Sequence, residues 1–367
     1  MMQRPPAEPG MRLEDVDTPA LILDLDAFEY NLDHMAALVA GTGAVLRPHA
    51  KTHKSPVIAR QQIARGAVGQ CVQKVAEAEI LAWGGVADIL VSNEVIGARK
   101  LARFAALDGI CTVAICADTA EGVAQIEAAA AQAGRRLSVL VELDVGAGRC
   151  GVPSVAQALD LAGRIAASRH LRFGGLQAYH GNAQHQRTPE ERRASIQAAA
   201  ALTGETVAAL RGRGLDCAIV GGAGTGTFAL EAGSGVFTEL QAGSYVFMDA
   251  DYARNSPAPP FRHALFVLGT VMSVTRPELA VIDLGLKAVA VDSGLPEPWQ
   301  RPGVSYVGAS DEHGNLRLDG ARLSLGEKIL LVPGHCDPTV DRYDWYVGVR
   351  GGRVECLWPA AARGAAA

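Results

Sequence analysis

Between residues 44 and 247 the chain alternates two textures. Short, unbroken apolar runs rich in Val, Ile and Leu are separated by Ala-rich stretches with polar positions at helical spacing. The runs are "AVLRPHA" (44–50), "AVGQCVQ" (67–73), "ADILVSN" (87–93), "CTVAICAD" (111–118), "LSVLVELDVG" (137–146), "LRFGGLQAYH" (171–180), "DCAIVGGAG" (216–224) and "ELQAGSYVF" (239–247). A strand with one wet face alternates apolar and polar side chains, whereas a parallel strand covered on both faces reads as a continuous apolar run. Segments such as "KVAEAEILAWGG", "IGARKLARFAAL", "EGVAQIEAAAAQAG" and "SVAQALDLAGRIAAS" supply the intervening helices. Another opens with "TPEE": Thr188 as N-cap, Pro189 at the first helical position and Glu191 completing a capping box. Eight strand–helix units over about two hundred residues predict an α/β fold, a (β/α)8 barrel of TIM type. A doubly wound open sheet is the competing arrangement.

The texture changes at both ends. "PALILDL" (19–25) is an extra strand, followed by the helical "DAFEYNLDHMAALVA". After residue 260, "HALFVLGTVMSV", "LAVIDLGLKAVAV", "VSYVGAS", "KILLVP" and "DWYVGVRGGRVECLW" are strand-like, with Gly, Pro and Asp turns and almost no helix between them. The expected division is an arm and strand (1–25) associated with a C-terminal all-β domain, a barrel (26–250), a Pro-marked linker (251–263) and the β domain itself (264–367).

Composition narrows the partners. Net charge is −5 and pI about 6.0, with no basic tract and an aromatic fraction of 5%, so neither a phosphate backbone nor stacked bases find a platform. No run of 18 apolar residues suggests a membrane span. "MMQRPPAEPGMRLEDVD" lacks an apolar signal core and reads as a loose arm. The seven Cys are odd in number, scattered and without a CxxC pair, which fits inert thiols in a reducing cytoplasm.

In a barrel, chemistry collects at the C-terminal ends of the strands. The first strand end offers His49 and Lys51 within "LRPHAKTHKS"; the fifth offers Arg149; the sixth offers Tyr179, His180 and His185; the seventh ends in "GGAGTGT" (221–227); the eighth carries "QAGSY" (241–245). The glycine–threonine turn lacks the order of a Walker or dinucleotide loop, and its bare N–H groups suit one phosphate. A strand-end lysine opposite a monophosphate cradle points to pyridoxal phosphate, which needs a lysine for its Schiff base. Lys51 is the candidate, flanked by Arg47, His49 and His53; Lys54 is the rival, expected in the following helix and solvated.

"DTPALILDLDAFEYNL", "RPHAKTHK", "GRCGV", "YHGNAQH", "GGAGTGT" and "HCDPTVDRYDWY", in that order, resemble the fold-type III pyridoxal-phosphate enzymes, within them the D-threonine aldolase and D-serine dehydratase branch, over about residues 15–350. The resemblance implies an alanine racemase-like barrel, Lys51 as the Schiff-base lysine, Arg149 near the cofactor's phenolate oxygen, Tyr179 and His180 beside its ring, and a phosphate cup at Gly222, Gly224, Thr225 and Gly226. Ser244 and Tyr245 belong to the last strand-end element. Gln241 stands where racemases carry an arginine facing the ring nitrogen. A homodimer is the family expectation.

His335 and Asp337, two apart in an extended segment, would face one side and suit a divalent cation: Mn²⁺ first, Mg²⁺ or Co²⁺ next. His49 and His53 are weaker candidate ligands. Asp at the second ligand position resembles the metal-activated aldolases, where the dehydratases are expected to carry Cys. Retro-aldol cleavage of D-threonine and other β-hydroxy-D-amino acids to glycine and an aldehyde is the implied reaction, with His185 as the base for the β-hydroxyl and Tyr179 alongside. The alternatives are a D-serine or 3-hydroxy-D-aspartate dehydratase and a non-catalytic pyridoxal-phosphate-binding protein.

Overall fold

The structure, a computed structural model, describes residues 3–367; Met1 and Met2 of the expected arm lie outside the described residues. The chain opens with β1 (Ala20–Asp24) and α1 (Leu25–Val39), then alternates: β2 (Val45–Leu46), α2 (Pro56–Ala64), β3 (Gln70–Val72), α3 (Val75–Trp83), β4 (Asp88–Glu94), α4 (Ala98–Leu107), β5 (Thr112–Ala117) and α5 (Ala120–Ala133). It continues through β6 (Leu137–Glu142), α6 (Val155–Ala167), β7 (Leu171–Gln177), α7 (Pro189–Arg211), β8 (Ile219–Gly222), α8 (Phe228–Gly233) and β9 (Glu239–Leu240).

β2 to β9 form one parallel sheet in the order β2-β9-β8-β7-β6-β5-β4-β3. A bridge between His49 and Cys71, with Val68 donating to the Leu46 carbonyl at 2.9 Å, joins β3 back to β2 and closes the ring. This is the barrel expected from the apolar runs, and the open doubly wound sheet is excluded. Most strand positions are hidden on both faces. One face packs on the helices; the other meets Cys71, Leu90, Ala114, Cys116 and Leu140 inside the ring. All seven cysteines are free, and burial pushes the Cys71 and Cys116 thiols up. The α7 capping box is as read: Thr188 Oγ1 accepts from the Glu191 amide, and Glu191 Oε2 from the Thr188 amide at 3.1 Å.

α9 (Ala250–Ala253) then leads to β10 (Leu265–Arg276), β11 (Leu279–Ile282), β12 (Glu297–Pro298), β13 (Val304–Ala309), β14 (Gly314–Leu318), β15 (Lys328–Val332), α10 (Cys336–Val340), β16 (Trp345–Arg350) and β17 (Arg353–Pro359). With β1 these strands make a nine-stranded sheet in which β1 lies between β10, antiparallel, and β16, parallel. Three sequence readings change here. "LGLKAVAV" after β11 is a loop, and β14 was not foreseen, because its Asn and Arg alternate with Leu too sparsely to stand out. The N-terminal arm is not loose: Ala7 and Val16 are buried, and backbone bonds run from Gly10 to Val354 and from Leu13 to Gly352. "HCD" is not extended throughout: His335 caps α10, and Asp337 sits in its first turn.

The two parts meet around the barrel mouth. Tyr346 donates to the His53 carbonyl at 2.6 Å, and the Cys336 amide donates to Asp249 at 3.0 Å. This seats α10 against the loop after β2.

Candidate active site

A cavity of about 250 Å³ opens at the C-terminal ends of the barrel strands. Its walls bring together Lys51, Arg149, Tyr179, His185, Gly224, Thr225, Gln241 and Ser244 from five different strand ends. Lys51 extends from the loop after β2 and pairs with Asp337 of α10. Burial opposes the charge on both, yet each ion holds the other: Lys51 is raised and Asp337 lowered by their mutual attraction. Lys54 is neither helical nor solvated. It sits at φ 51°, 13% exposed, between Glu77 Oε1 at 3.1 Å and Asp341 Oδ1 at 2.9 Å. The rival lysine is therefore committed to an ion network away from the cavity.

His49 lines the wall with both ring nitrogens engaged: Nδ1 accepts from the Lys51 amide, while Nε2 faces Gln73 and Ser92. Burial, then the neighbouring Lys51, drives its pKa well below the usual histidine range. His53 lies in the interior, where burial brings it down to about 4, and its Nδ1 accepts from the Ser55 amide. Both ring nitrogens of His49 are thus engaged within the protein, whereas His53 keeps Nε2 buried without a partner.

The phosphate side is built from absent side chains. A Cβ on Gly224 would stand 2.5 Å from Gln184 Oε1, and one on Gly243 2.7 Å from the His49 carbonyl. In the first of these turns, just before Gly224, Ala223 adopts φ 73°, a conformation that costs a residue with a Cβ energy and clusters at functional sites. Thr225 Oγ1 is buried without a partner and faces the cavity. A phosphate ester would fit this cradle, and Lys51 lines the same cavity. Gln241 does not reach out alone. It exchanges two hydrogen bonds with Gln177, at 2.8 and 2.9 Å, so a neutral amide pair floors the cavity.

Arg149, half-exposed, lies 5.9 Å over the Tyr179 ring. Glu142 Oε1 is 3.8 Å from it, within ion-pair reach. Burial, then the adjacent Glu94, pushes the Glu142 carboxyl up to about 9, so we read Glu142 as a neutral neighbour that leaves the arginine's charge for an anion. Beside them Glu94, Asp118 and Cys150 bring their ligand atoms within 4.8 Å of one another. Burial pushes the Cys150 thiol up to about 11, beside Glu94, so it stays protonated.

Four expected cofactor residues do not line the cavity. His180 packs under Gly146 and accepts from the Ala183 amide at 3.3 Å, so it shapes the loop. Gly222 makes room for Ala178 and Phe237, and Gly226 donates to Gln184. Tyr245 is in the core, its hydroxyl accepting from Gln62 at 3.2 Å. Conversely Thr52, Gln73, Ser92, Gln177, Asn182, Ala223, Gly243 and Tyr252 line the cavity unforeseen. Tyr252 lies in the stretch read as a linker, where only the polar–aromatic "DADY" hinted at a role.

His335 Nδ1 lies 2.7 Å from Asp292 Oδ2, leaving Nε2 free, and Asp337 Oδ1 is buried without a partner. One imidazole and one carboxylate fit a borderline-to-hard divalent cation.

The alanine racemase N-terminal domain model matches residues 23–251, and the putative serine dehydratase domain model matches residues 264–349. A 3-hydroxy-D-aspartate aldolase from Paracoccus denitrificans (strain Pd 1222) is 46% identical over 368 residues, covering 98% of this chain and 95% of that protein. A D-threonine aldolase from Arthrobacter sp is 46% identical over 364 residues, covering 98% and 96%. The crystal structure of D-threonine aldolase from Filomicrobium marinum superposes with a TM-score of 0.97 at 50% identity, over 99% of this chain and 100% of that one. The chain belongs to the fold-type III pyridoxal-phosphate family, in the group that joins an alanine racemase-type barrel to a serine dehydratase-type domain.

Proposed function

We propose that this protein is a carbon–carbon lyase that splits β-hydroxy-D-amino acids, D-threonine and 3-hydroxy-D-aspartate among them, to glycine and an aldehyde, with pyridoxal phosphate and a divalent cation. The observation that carries this reading is the meeting of Lys51, which lines the barrel cavity, with Asp337 of α10. The aldolase relatives support the same reaction.

Lys51 would hold the cofactor aldehyde. Gly224, Thr225, Gly243 and Ser244 would cradle its phosphate, and Arg149 would offer its charge to the phenolate. The bound cofactor supplies an electron sink for the pair left on Cα when Cα–Cβ breaks. Breaking that bond needs the β-hydroxyl proton removed, and His185, half-exposed at the cavity wall, takes it. Tyr179, half-buried beside Arg149 at the cavity wall, orients the ring side of the site. His335 and Asp337 would hold the cation, Mn²⁺ before Mg²⁺ or Co²⁺, and a cation there would favour loss of the hydroxyl proton. In this reading the barrel, residues 26–250, binds the cofactor, and residues 264–367 bring the metal ligands, working as a homodimer.

The test is a product assay with pyridoxal phosphate, Mn²⁺ and D-threonine. Glycine and acetaldehyde are expected. Accumulation of 2-oxobutanoate and ammonia would mean a dehydratase, and no turnover of any β-hydroxy-D-amino acid would leave only cofactor binding.

A further inference from the structure

His185 ends a 3-10 turn (Asn182–His185) beyond β7. Its Nδ1 lies 2.5 Å from Asp251 Oδ2. The Asp251 side chain is 6% exposed, on the one-turn helix α9 in the segment read from sequence as a linker. Its other oxygen accepts from Arg187 and, at 3.2 Å, from Arg254. Arg187 also donates to the Asp251 carbonyl and to Asn255 Oδ1, both at 2.7 Å, and Asn255 donates to the Gln184 carbonyl at 3.0 Å. The turn that carries the histidine is thereby tied to the helix that carries the aspartate on both sides of the pair.

A buried carboxylate between two guanidiniums stays ionised. Burial raises its pKa, but the hydrogen bonds from Arg187 and His185 bring it below the usual range. An ionised carboxylate only accepts, so the ring nitrogen facing it must carry the hydrogen. The other nitrogen, on the far side of the ring, keeps its lone pair.

We propose that Asp251 is the positioning residue of the proton acceptor: it fixes His185 as the Nδ1–H tautomer and leaves Nε2 as the acceptor for the substrate β-hydroxyl. This rests on the reading of His185 as that base. A residue serving only to anchor Arg187 and Arg254 would be indifferent to the tautomer. Asn in its place keeps the size but can donate to Nδ1, which turns Nε2 into a donor; the same exchange in a serine-protease triad lowers kcat by about 10⁴ through the wrong tautomer.

The experiment is ¹⁵N NMR of ring-labelled histidine in the enzyme loaded with pyridoxal phosphate and diamagnetic Mg²⁺, with His185 assigned by the signals lost in His185→Gln. In the neutral imidazole of the wild-type enzyme, Nδ1 should carry the proton and Nε2 should not. In Asp251→Asn the pattern should reverse, and kcat should fall between about 10²- and 10⁴-fold, with KM and the cofactor absorbance held within about twofold. An Nε2–H tautomer in the wild-type enzyme overturns the proposal, and this holds even if the variant does not fold. An unchanged tautomer or kcat in Asp251→Asn overturns it too. Full kcat in His185→Gln would instead remove the base reading, while the tautomer measurement still decides whether Asp251 holds the ring.

Discussion

Lys51 and Lys54 stand three residues apart and differ in what surrounds them. Lys51 is 39% exposed toward the cavity with Asp337 as its one ion partner, whereas Lys54 is 13% exposed between two carboxylates. Lys51→Ala is expected to lose the visible absorbance of lysine-bound pyridoxal phosphate, and Lys54→Ala to keep it; the opposite result would reverse the assignment. Lys54→Met should instead cost stability, about 2 kcal/mol, because Glu77 is left buried with no cation; a urea midpoint unchanged from wild type would show that the network is idle. Glu231 makes a separate prediction. It lies beneath the phosphate turn, 1% exposed, accepting from Thr227 at 2.7 Å with its second oxygen unpartnered. Burial pushes it up from 4.5 to about 7. The folded protein therefore keeps a proton there that the unfolded chain has lost, so this contribution is complete below about pH 4.5 and fades as pH rises to about 7. Glu231→Gln should flatten that fall, gaining at most about 3 kcal/mol above neutrality. Unfolding curves of the two proteins from pH 5 to 8 would show it, and parallel curves would rule it out.

At the level of elements, the lesson lies in which strand ends could be read and which could not. β4 to β7 stand out because both faces are largely covered, so their apolar residues run on with few polar interruptions. The residues that matter most sit just past those runs, and the chain direction already places Lys51, Arg149, Tyr179 and His185 at the mouth. Sequence reasoning failed where a side chain could turn either way. His180 and Tyr245 neighbour true cavity residues, yet His180 goes under Gly146 and Tyr245 into the core against Phe261. It failed again at α10, where a segment read as extended is a short helix that carries Asp337 to Lys51. Asp251 was out of reach, because His185 and Arg187, the partners that tie it to the site, lie 66 and 64 residues away in the chain. The element-level prediction follows from the division of labour. The phosphate cradle belongs to the turns after β8 and β9, and the metal-type donors to α10 and its cap. Chelation should abolish cleavage while the cofactor stays bound, with Mn²⁺ restoring more activity than Zn²⁺ because Asp337 is a hard ligand. Release of the cofactor together with the metal would contradict that separation.

For the whole molecule, what matters is that one chain completes the contact between its two parts. β1 precedes the barrel in sequence yet is a central strand of the other sheet, between β10 and β16, so the barrel is inserted within the β structure. Two covalent crossings, at α1 and at residues 254–264, then hold α10 over the loop after β2. Tyr346 on the His53 carbonyl and the Ala362 amide on the Lys54 carbonyl reinforce the docking. As a result Lys51 and Asp337 of the same chain touch. This geometry makes a prediction that does not depend on how many chains assemble. Lys51→Ala and Asp337→Ala, each inactive alone, should remain inactive when co-expressed, since every site then carries one of the two lesions. If the cofactor lysine of one chain instead worked with the carboxylate of another, random pairing into dimers would rebuild one intact site in half of the dimers and restore about a quarter of wild-type activity. Activity at that level in the mixed preparation, absent from either variant alone, would show that the working site is shared between chains and that the Lys51–Asp337 contact within one chain is not the catalytic one.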